Sequence, residues 1–218
     1  TDGKGNIIPA GQFIETLEKS GDIRELDLYM LEFVLEQLSE WKAKGLPAVK
    51  VSVNLSRYSL LNPTTLASIL AIQSHYPDIP PDQIELEITE TACDIEKTTL
   101  SSLIDSFRKY GLEFELDDFG SHYANMSIFT NIKFKIIKLD RSLVSDLPGN
   151  EMSRMLVEDI VKICHSFGML CVAEGVETKQ QKEALLKAGC CYGQGFYYSR
   201  PLPPGKFEEQ YLIQKEEV

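Results

Sequence analysis

The sequence predicts an α/β fold, a (β/α)8 TIM-like barrel with six strands visible and the first one or two missing upstream of Thr1. Three observations carry that expectation. Apolar, β-rich runs alternate with helical patterns, and the runs are too apolar to face water, which argues for a parallel sheet covered by helices. Six successive runs carry a polar residue at or near their C-terminal ends: Asn54, Glu87, Asp117 with Asp118, Lys138, Glu174 and Gln194. In a barrel those ends meet on one rim, where active sites are built. No GxGxxG or Walker A pattern follows any run, which weakens the competing open, nucleotide-binding doubly wound sheet.

The elements follow in order. The opening "GNIIPAGQFIETLEKSGDI" reads as a loop and a helix over 10–19 that continue from a strand outside the sequence. "ELDLYMLEFVLEQLSEWKAKG" (25–45) has apolar residues at three- and four-residue spacing and a glycine stop, hence a helix. "AVKVSVNLS" (48–56) is the first strand, followed by a helix over 63–74. "QIELEITE" (83–90) is the second strand, with a helix over 94–110. "LEFELDD" (112–118) and "FKIIKLD" (134–140) are the third and fourth, with a helix over 151–167. "MLCVAEGV" (169–176) and "YGQGFYYS" (192–199) are the fifth and sixth, separated by a helix over 178–188. A last helix starts near Pro204. No low-complexity linker or change of composition interrupts the chain, so 1–218 is expected to be one domain. A full barrel takes about 250 residues, more than the 218 present.

Composition narrows the function classes. With 43% hydrophobic and 25% charged residues the chain has the make-up of an ordinary globular protein. The net charge of −11 opposes DNA and RNA as partners. A phosphate-bearing ligand then needs local positive charge, which metal ions can supply. The cysteines at 93, 164, 171, 190 and 191 show no CxxC spacing, which points to reduced, mostly buried thiols and a cytoplasmic setting. Cys190–Cys191 could form a redox switch, but two small packing residues before a strand is the simpler reading. Three histidines without HExxH spacing leave little basis for a zinc site.

The rim residues suggest a chemistry. Side chains two apart share a strand face, so Asn54 goes with Ser52, Glu87 with Glu85, and Asp117 with Glu115 and Glu113. Carboxylates and an amide oxygen without histidine or cysteine form a hard-oxygen set suited to Mg2+, Mn2+ or Ca2+. Asp117 and Asp118 point to different sides of a regular strand; a twist or bulge at the strand end would let them serve two neighbouring ions. Two close divalent ions can activate water and stabilise the attacking and leaving oxygens of a phosphodiester. Lys138 could hold the water or the phosphate as a point charge, and Glu174 could act as a second ligand or a base. A plain structural reading competes for each residue alone: strand-end Asp and Asn cap helices, and Lys138 could pair with Glu115 or Asp117.

"ELEITE", "LDDFGS-Y", "IIKLDRSLV", "VAEGVET" and "GQGFYYSRPLP" resemble, in order and spacing, the EAL domain of bacterial cyclic-di-GMP phosphodiesterases, and "IIPAGQFI", "SGDI-ELD" and "VSVNLS" extend the resemblance over nearly the whole chain. The resemblance implies a (β/α)8 barrel with one antiparallel strand, and Mg2+- or Mn2+-dependent hydrolysis of cyclic di-GMP to the linear dinucleotide. It makes Asn54, Glu87 and Asp117 ligands of one metal, with Asp117 bridging to a second beside Asp118. Lys138 would contact the nucleophilic water, Glu174 would serve the metal–water site, and Gln194 would position it. Glu90 would steady the loop after "DDFG", a loop tied in the family to metal binding and to homodimer formation. The resemblance implies an upstream GGDEF or sensory domain in the parent protein, whose membrane anchoring stays open.

Three departures stand out. The Glu-Ala-Leu tripeptide is absent from the chain. The loop "GSHYANMS" carries His122, Ala124 and Asn125 where a Gly-Tyr-Ser-Ser-like run is usual, although Tyr123 is kept. Glu115 replaces a small residue and adds a lumen carboxylate. Two other readings remain open: an EAL-like domain that binds cyclic di-GMP or a protein partner without turnover, and an enolase-type barrel that abstracts protons with rim carboxylates and a lysine.

Overall fold

The structure, a computed structural model, describes residues 8–90, 92, 95–121 and 132–213. Helices α1 (Ile14–Ser20) and α2 (Ile23–Ala43) precede strand β1 (Val51–Asn54). Helices α3 (Arg57–Leu61) and α4 (Thr65–Gln73) lead to β2 (Ile84–Thr89), and α5 (Lys97–Arg108) leads to β3 (Glu113–Phe119). After β4 (Ile136–Leu139) come α6 (Arg141–Ser145), α7 (Glu151–Ser166) and β5 (Leu170–Ala173). Helix α8 (Lys179–Lys187), β6 (Tyr192–Gly193) and α9 (Pro204–Phe207) complete the series. The six strands form one sheet in sequence order, every pairing parallel, curled into a half-barrel.

The period of two along the strands separates two faces. Ile84, Leu86 and Ile88 of β2, Phe114 and Leu116 of β3, and Ile137 and Leu139 of β4 are buried. They pack in one core with Leu31, Leu35 and Leu38 of α2, Leu100, Ile104 and Phe107 of α5, and Val157, Ile160 and Val161 of α7. Their helical spacing of three and four residues puts each set on one stripe, and each such side chain contributes about 1.5–3 kcal/mol by leaving water. The other strand face is polar. Glu85, Glu87, Glu115 and Lys138 lie on it, all buried.

Most helices expected from the sequence are present with shifted ends, and two short ones were not expected. Helix α3 starts where the Ser56 side chain accepts from the Ser59 amide, and α6 where Asp140 accepts from the Ser142 amide. Both caps lie in segments read as strand ends, so the capping signal was there but was absorbed into the strands. The sixth strand is the larger correction: the run 192–199 pairs only over Tyr192–Gly193. At Gly195 (φ 154) a Cβ would lie 2.3 Å from the Val176 carbonyl oxygen, and the Tyr198 amide turns back onto the Gly195 carbonyl. The aromatic residues that suggested a strand, Phe196, Tyr197 and Tyr198, are exposed.

Among the cysteines, Cys164, Cys171 and Cys190 are buried and Cys191 is exposed, so the packing reading holds for Cys190 and fails for Cys191. Cys93 lies outside the described residues, as do His122, Tyr123, Ala124 and Asn125 of the altered loop. Helix α9 docks on α2: Trp41 stacks against Phe207 at 5.7 Å and donates to Glu208, just after α9, at 3.0 Å.

Candidate metal centre

The centre is built on the C-terminal ends of β2, β3, β4 and β5. Register places Glu87 beside Asn54 of β1 and beside Glu115 of β3. Between β3 and β4 the register slips: Leu116 faces Ile137 and Phe119 faces Leu139. Two residues, Asp117 and Asp118, therefore stand opposite one, Lys138, which is the definition of a bulge. Asp118 takes φ 55, the one positive φ outside glycine among the described residues. Aspartate tolerates that region better than most residues. The bulge breaks strict alternation, and both aspartates come close enough to Glu174 to push its carboxyl upward.

Four side chains converge at the rim. Lys138 Nζ contacts Glu87, lies 2.6 Å from Glu174 and lies 3.3 Å from Asp117. Glu87, Asp117 and Glu174 each offer an oxygen within 4.8 Å of the others. Burial raises Glu87 above the usual carboxylate range against the pull of Lys138, and Asp117 and Glu174 add to the rise. Burial raises Glu174 likewise, against Lys138. Burial alone would lower Lys138, but Glu87, Glu174 and Asp117 outweigh it and hold the ammonium above its ordinary value. Lys138 thus pairs with Asp117, as one structural reading supposed, along with Glu87 and Glu174 rather than Glu115.

The remaining sequence candidates surround this cluster. Asn54 and Glu87 line one cavity, and Gln194 joins Glu87 and Lys138 in another of about 460 Å3. That volume falls in the range of small-ligand pockets. The Glu90 carboxylate accepts from the Gly120 amide at 3.1 Å, tying the end of β2 to the turn after the two aspartates. Gly120 itself (φ 94) lies against Leu143, where a Cβ would come within 2.4 Å.

Beneath the rim lies a second polar layer. Glu85 is paired with Lys135 at 2.7 Å and Lys50 at 3.4 Å. Despite its burial, hydrogen bonding to Glu115 and Lys135 and the charges of both lysines hold Glu85 below its usual range. Glu115 goes the other way: burial, then the Glu85 carboxyl, push it up to about 8. The two carboxyls are thus pushed in opposite directions, Glu85 down and Glu115 up. Lys50 and Lys135 were not singled out in the sequence; their signal is a lysine just before each of two strands, β1 and β4, that are not neighbours in the sheet, a pattern with no motif attached.

The donor set fits divalent cations. Glu87, Asp117 and Glu174 set three carboxylates against the Lys138 ammonium, and the buried Asp117 Oδ1 makes no hydrogen bond, facing Lys138 Nζ as an ion pair at 3.3 Å. All donors are hard oxygens, as Mg2+ and Mn2+ prefer.

Comparison with known proteins agrees with this geometry. The family model described as EAL domain matches residues 1–201. The chain is 32% identical over 208 residues to "Cyclic di-GMP phosphodiesterase PdeR" of Escherichia coli K12, covering 94% of this chain and 31% of that protein. It is 28% identical over 205 residues to "Cyclic di-GMP phosphodiesterase PA2567" of Pseudomonas aeruginosa, covering 94% of this chain and 34% of that protein. The chain therefore spans about a third of the length of these curated relatives. A solved structure described as "PaMucR Phosphodiesterase, c-di-GMP complex" superposes with a TM-score of 0.86 at 26% identity, over 94% of this chain and 83% of that one. A half-barrel of parallel strands, an acidic cluster at its C-terminal rim and a family match over residues 1–201 lead to one conclusion: the chain belongs to the EAL domain family.

Proposed function

We propose that the protein hydrolyses one phosphodiester bond of cyclic di-GMP to the linear dinucleotide pGpG, using Mg2+ or Mn2+. The observation that carries this reading is the convergence of Glu87, Asp117 and Glu174 on Lys138 at the rim. Glu87, Asp117 and Asn54 would hold one ion, and Asp117 with Asp118 a second. Two such ions supply a charge sink for the attacking and leaving oxygens. In this reading Lys138 would orient water or a phosphate oxygen as a donor, Glu174 would take a proton, and Gln194 would position the water. Glu90 keeps the turn after Asp118 in place through the Gly120 amide.

Relatives named as cyclic di-GMP phosphodiesterases support the substrate class. The reading extends to a homodimer in the cytoplasm, regulated by a GGDEF or sensory domain of the parent protein. No helix among the described residues is long and apolar enough to cross a membrane.

The test is chromatography of cyclic di-GMP incubated with the intact protein and Mn2+ or Mg2+. pGpG accumulates, EDTA stops it, and Glu87→Ala abolishes it; full activity in EDTA overturns the proposal. A second reading, binding without turnover, draws on Lys138, whose ammonium already supplies a cation to the cluster. Calorimetric binding of cyclic di-GMP with no product under either metal would favour it.

A further inference from the structure

Glu115 sits level with Glu87 in the sheet, yet its carboxylate is anchored two strands away. Ser52 Oγ of β1 donates to Glu115 Oε2 at 2.9 Å. Ser52 is level with Glu85, and Glu115 with Glu87. The link therefore crosses the lumen face of β2 diagonally, between Glu85 and Glu87. Glu115 is 2% exposed, and its Oε1 receives no hydrogen bond from a standard donor, leaving it against the Glu85 carboxyl. Glu115 is not among the carboxylates that converge on the rim.

The position of the link gives it a use. Below it are Lys50 and Lys135, which hold Glu85. Above it are Glu87, Asp117 and Glu174. Glu85 and Glu87 project from the same face of β2, two residues apart, Glu85 paired with the lower lysines and Glu87 with Lys138. A glutamate has enough rotatable bonds to turn down toward a second ammonium. The Ser52–Glu115 bridge runs across the face between Glu87 and those lysines.

We propose that Ser52 and Glu115 form a positioning pair. The bridge separates the rim carboxylates from the Lys50–Glu85–Lys135 layer and keeps the Glu87 carboxylate facing Asp117 and Glu174, ready for a divalent cation. This rests on the metal-dependent reading above. Glutamine keeps the bridge, because its carbonyl oxygen can accept from Ser52 Oγ in the place of Glu115 Oε2 and its amide can donate to Glu85.

The experiment is titration of the intact protein with Mn2+ alone, followed by the electron paramagnetic resonance of free and bound Mn2+, with melting curves in EDTA as a folding control. Glu115→Ala weakens Mn2+ binding about 10- to 100-fold, the usual effect of removing a group that orients a metal ligand. Ser52→Ala weakens it in the same direction by less and keeps the test valid if Glu115→Ala fails to fold. Glu115→Gln stays within about threefold of wild type, well under the tenfold that about 1.4 kcal/mol would give. Unchanged affinity in both Glu115→Ala and Ser52→Ala overturns the proposal. So does an equal loss in Glu115→Gln and Glu115→Ala, which would make charge rather than the bridge the cause. Wild-type protein that binds no Mn2+ overturns the metal-dependent reading as well, and that failure shows before any variant is compared.

Discussion

Replacing Glu115 by glutamine should make the metal-free protein more stable at alkaline pH while leaving it little changed at acid pH. In the folded state the carboxyl is raised from its ordinary 4.5 to about 8. A raised carboxyl favours folding fully below the unfolded value, and that contribution is lost as pH climbs through the folded one. Wild type therefore loses stability between about pH 4.5 and 8, and glutamine, which does not ionise, does not. The gap sets a ceiling on the order of 5 kcal/mol, at about 1.4 kcal/mol per pH unit. Structural relaxation and water entry reduce the expected difference to about 2–4 kcal/mol by pH 8.5. Urea unfolding in EDTA at pH 5, 7 and 8.5 measures it, provided the m-value stays constant. The variant curve should separate from wild type progressively as pH rises. Two curves that stay parallel across that range refute the reasoning, because Glu115 would then be ionised, or unburied, throughout.

Other outcomes follow from the same geometry. Lys138→Met leaves Glu87, Asp117 and Glu174 without their shared ammonium and should cost about 3–5 kcal/mol in EDTA; Mn2+ should raise the melting temperature of this variant more than that of wild type. Glu90→Ala frees the Gly120 amide, and Mn2+ affinity should fall about 10- to 100-fold with little change in far-ultraviolet circular dichroism. Glu96 caps α5 and is held down at about 2 by Thr98 and Thr99. Its contribution is present above its ordinary range and lost as pH falls toward 2, so Glu96→Ala should be less stable than wild type at pH 7 and converge with it in acid unfolding curves.

The barrel-like architecture was legible because apolar runs, such as those holding the buried Leu86, Phe114 and Ile137, alternate with helical patterns and end in polar residues. The rim candidates were legible because each polar residue stands where an apolar run stops. The bulge was not. Whether Asp117 and Asp118 diverge or cooperate depends on a backbone angle at Asp118 and on a register slip against β4, and neither leaves a mark on residue type. The lower lysine layer was also hidden, since Lys50 and Lys135 meet Glu85 only once the four strands β1 to β4 lie side by side. The sixth strand was overread: Phe196, Tyr197 and Tyr198 have strand propensity, but the close approach of Gly195 to Val176 turns the chain first. Ser56 and Asp140 were read as strand ends when their side chains start helices.

The central claim is that the rim carboxylates form a divalent metal centre. Anomalous X-ray diffraction from crystals of the intact protein soaked in Mn2+ tests it most directly. The account predicts an anomalous peak bonded to Glu87 and Asp117, with Lys138 Nζ displaced from between the carboxylates. Crystals that show no such peak, with Lys138 still against Glu87 and Glu174 at saturating Mn2+, would contradict it.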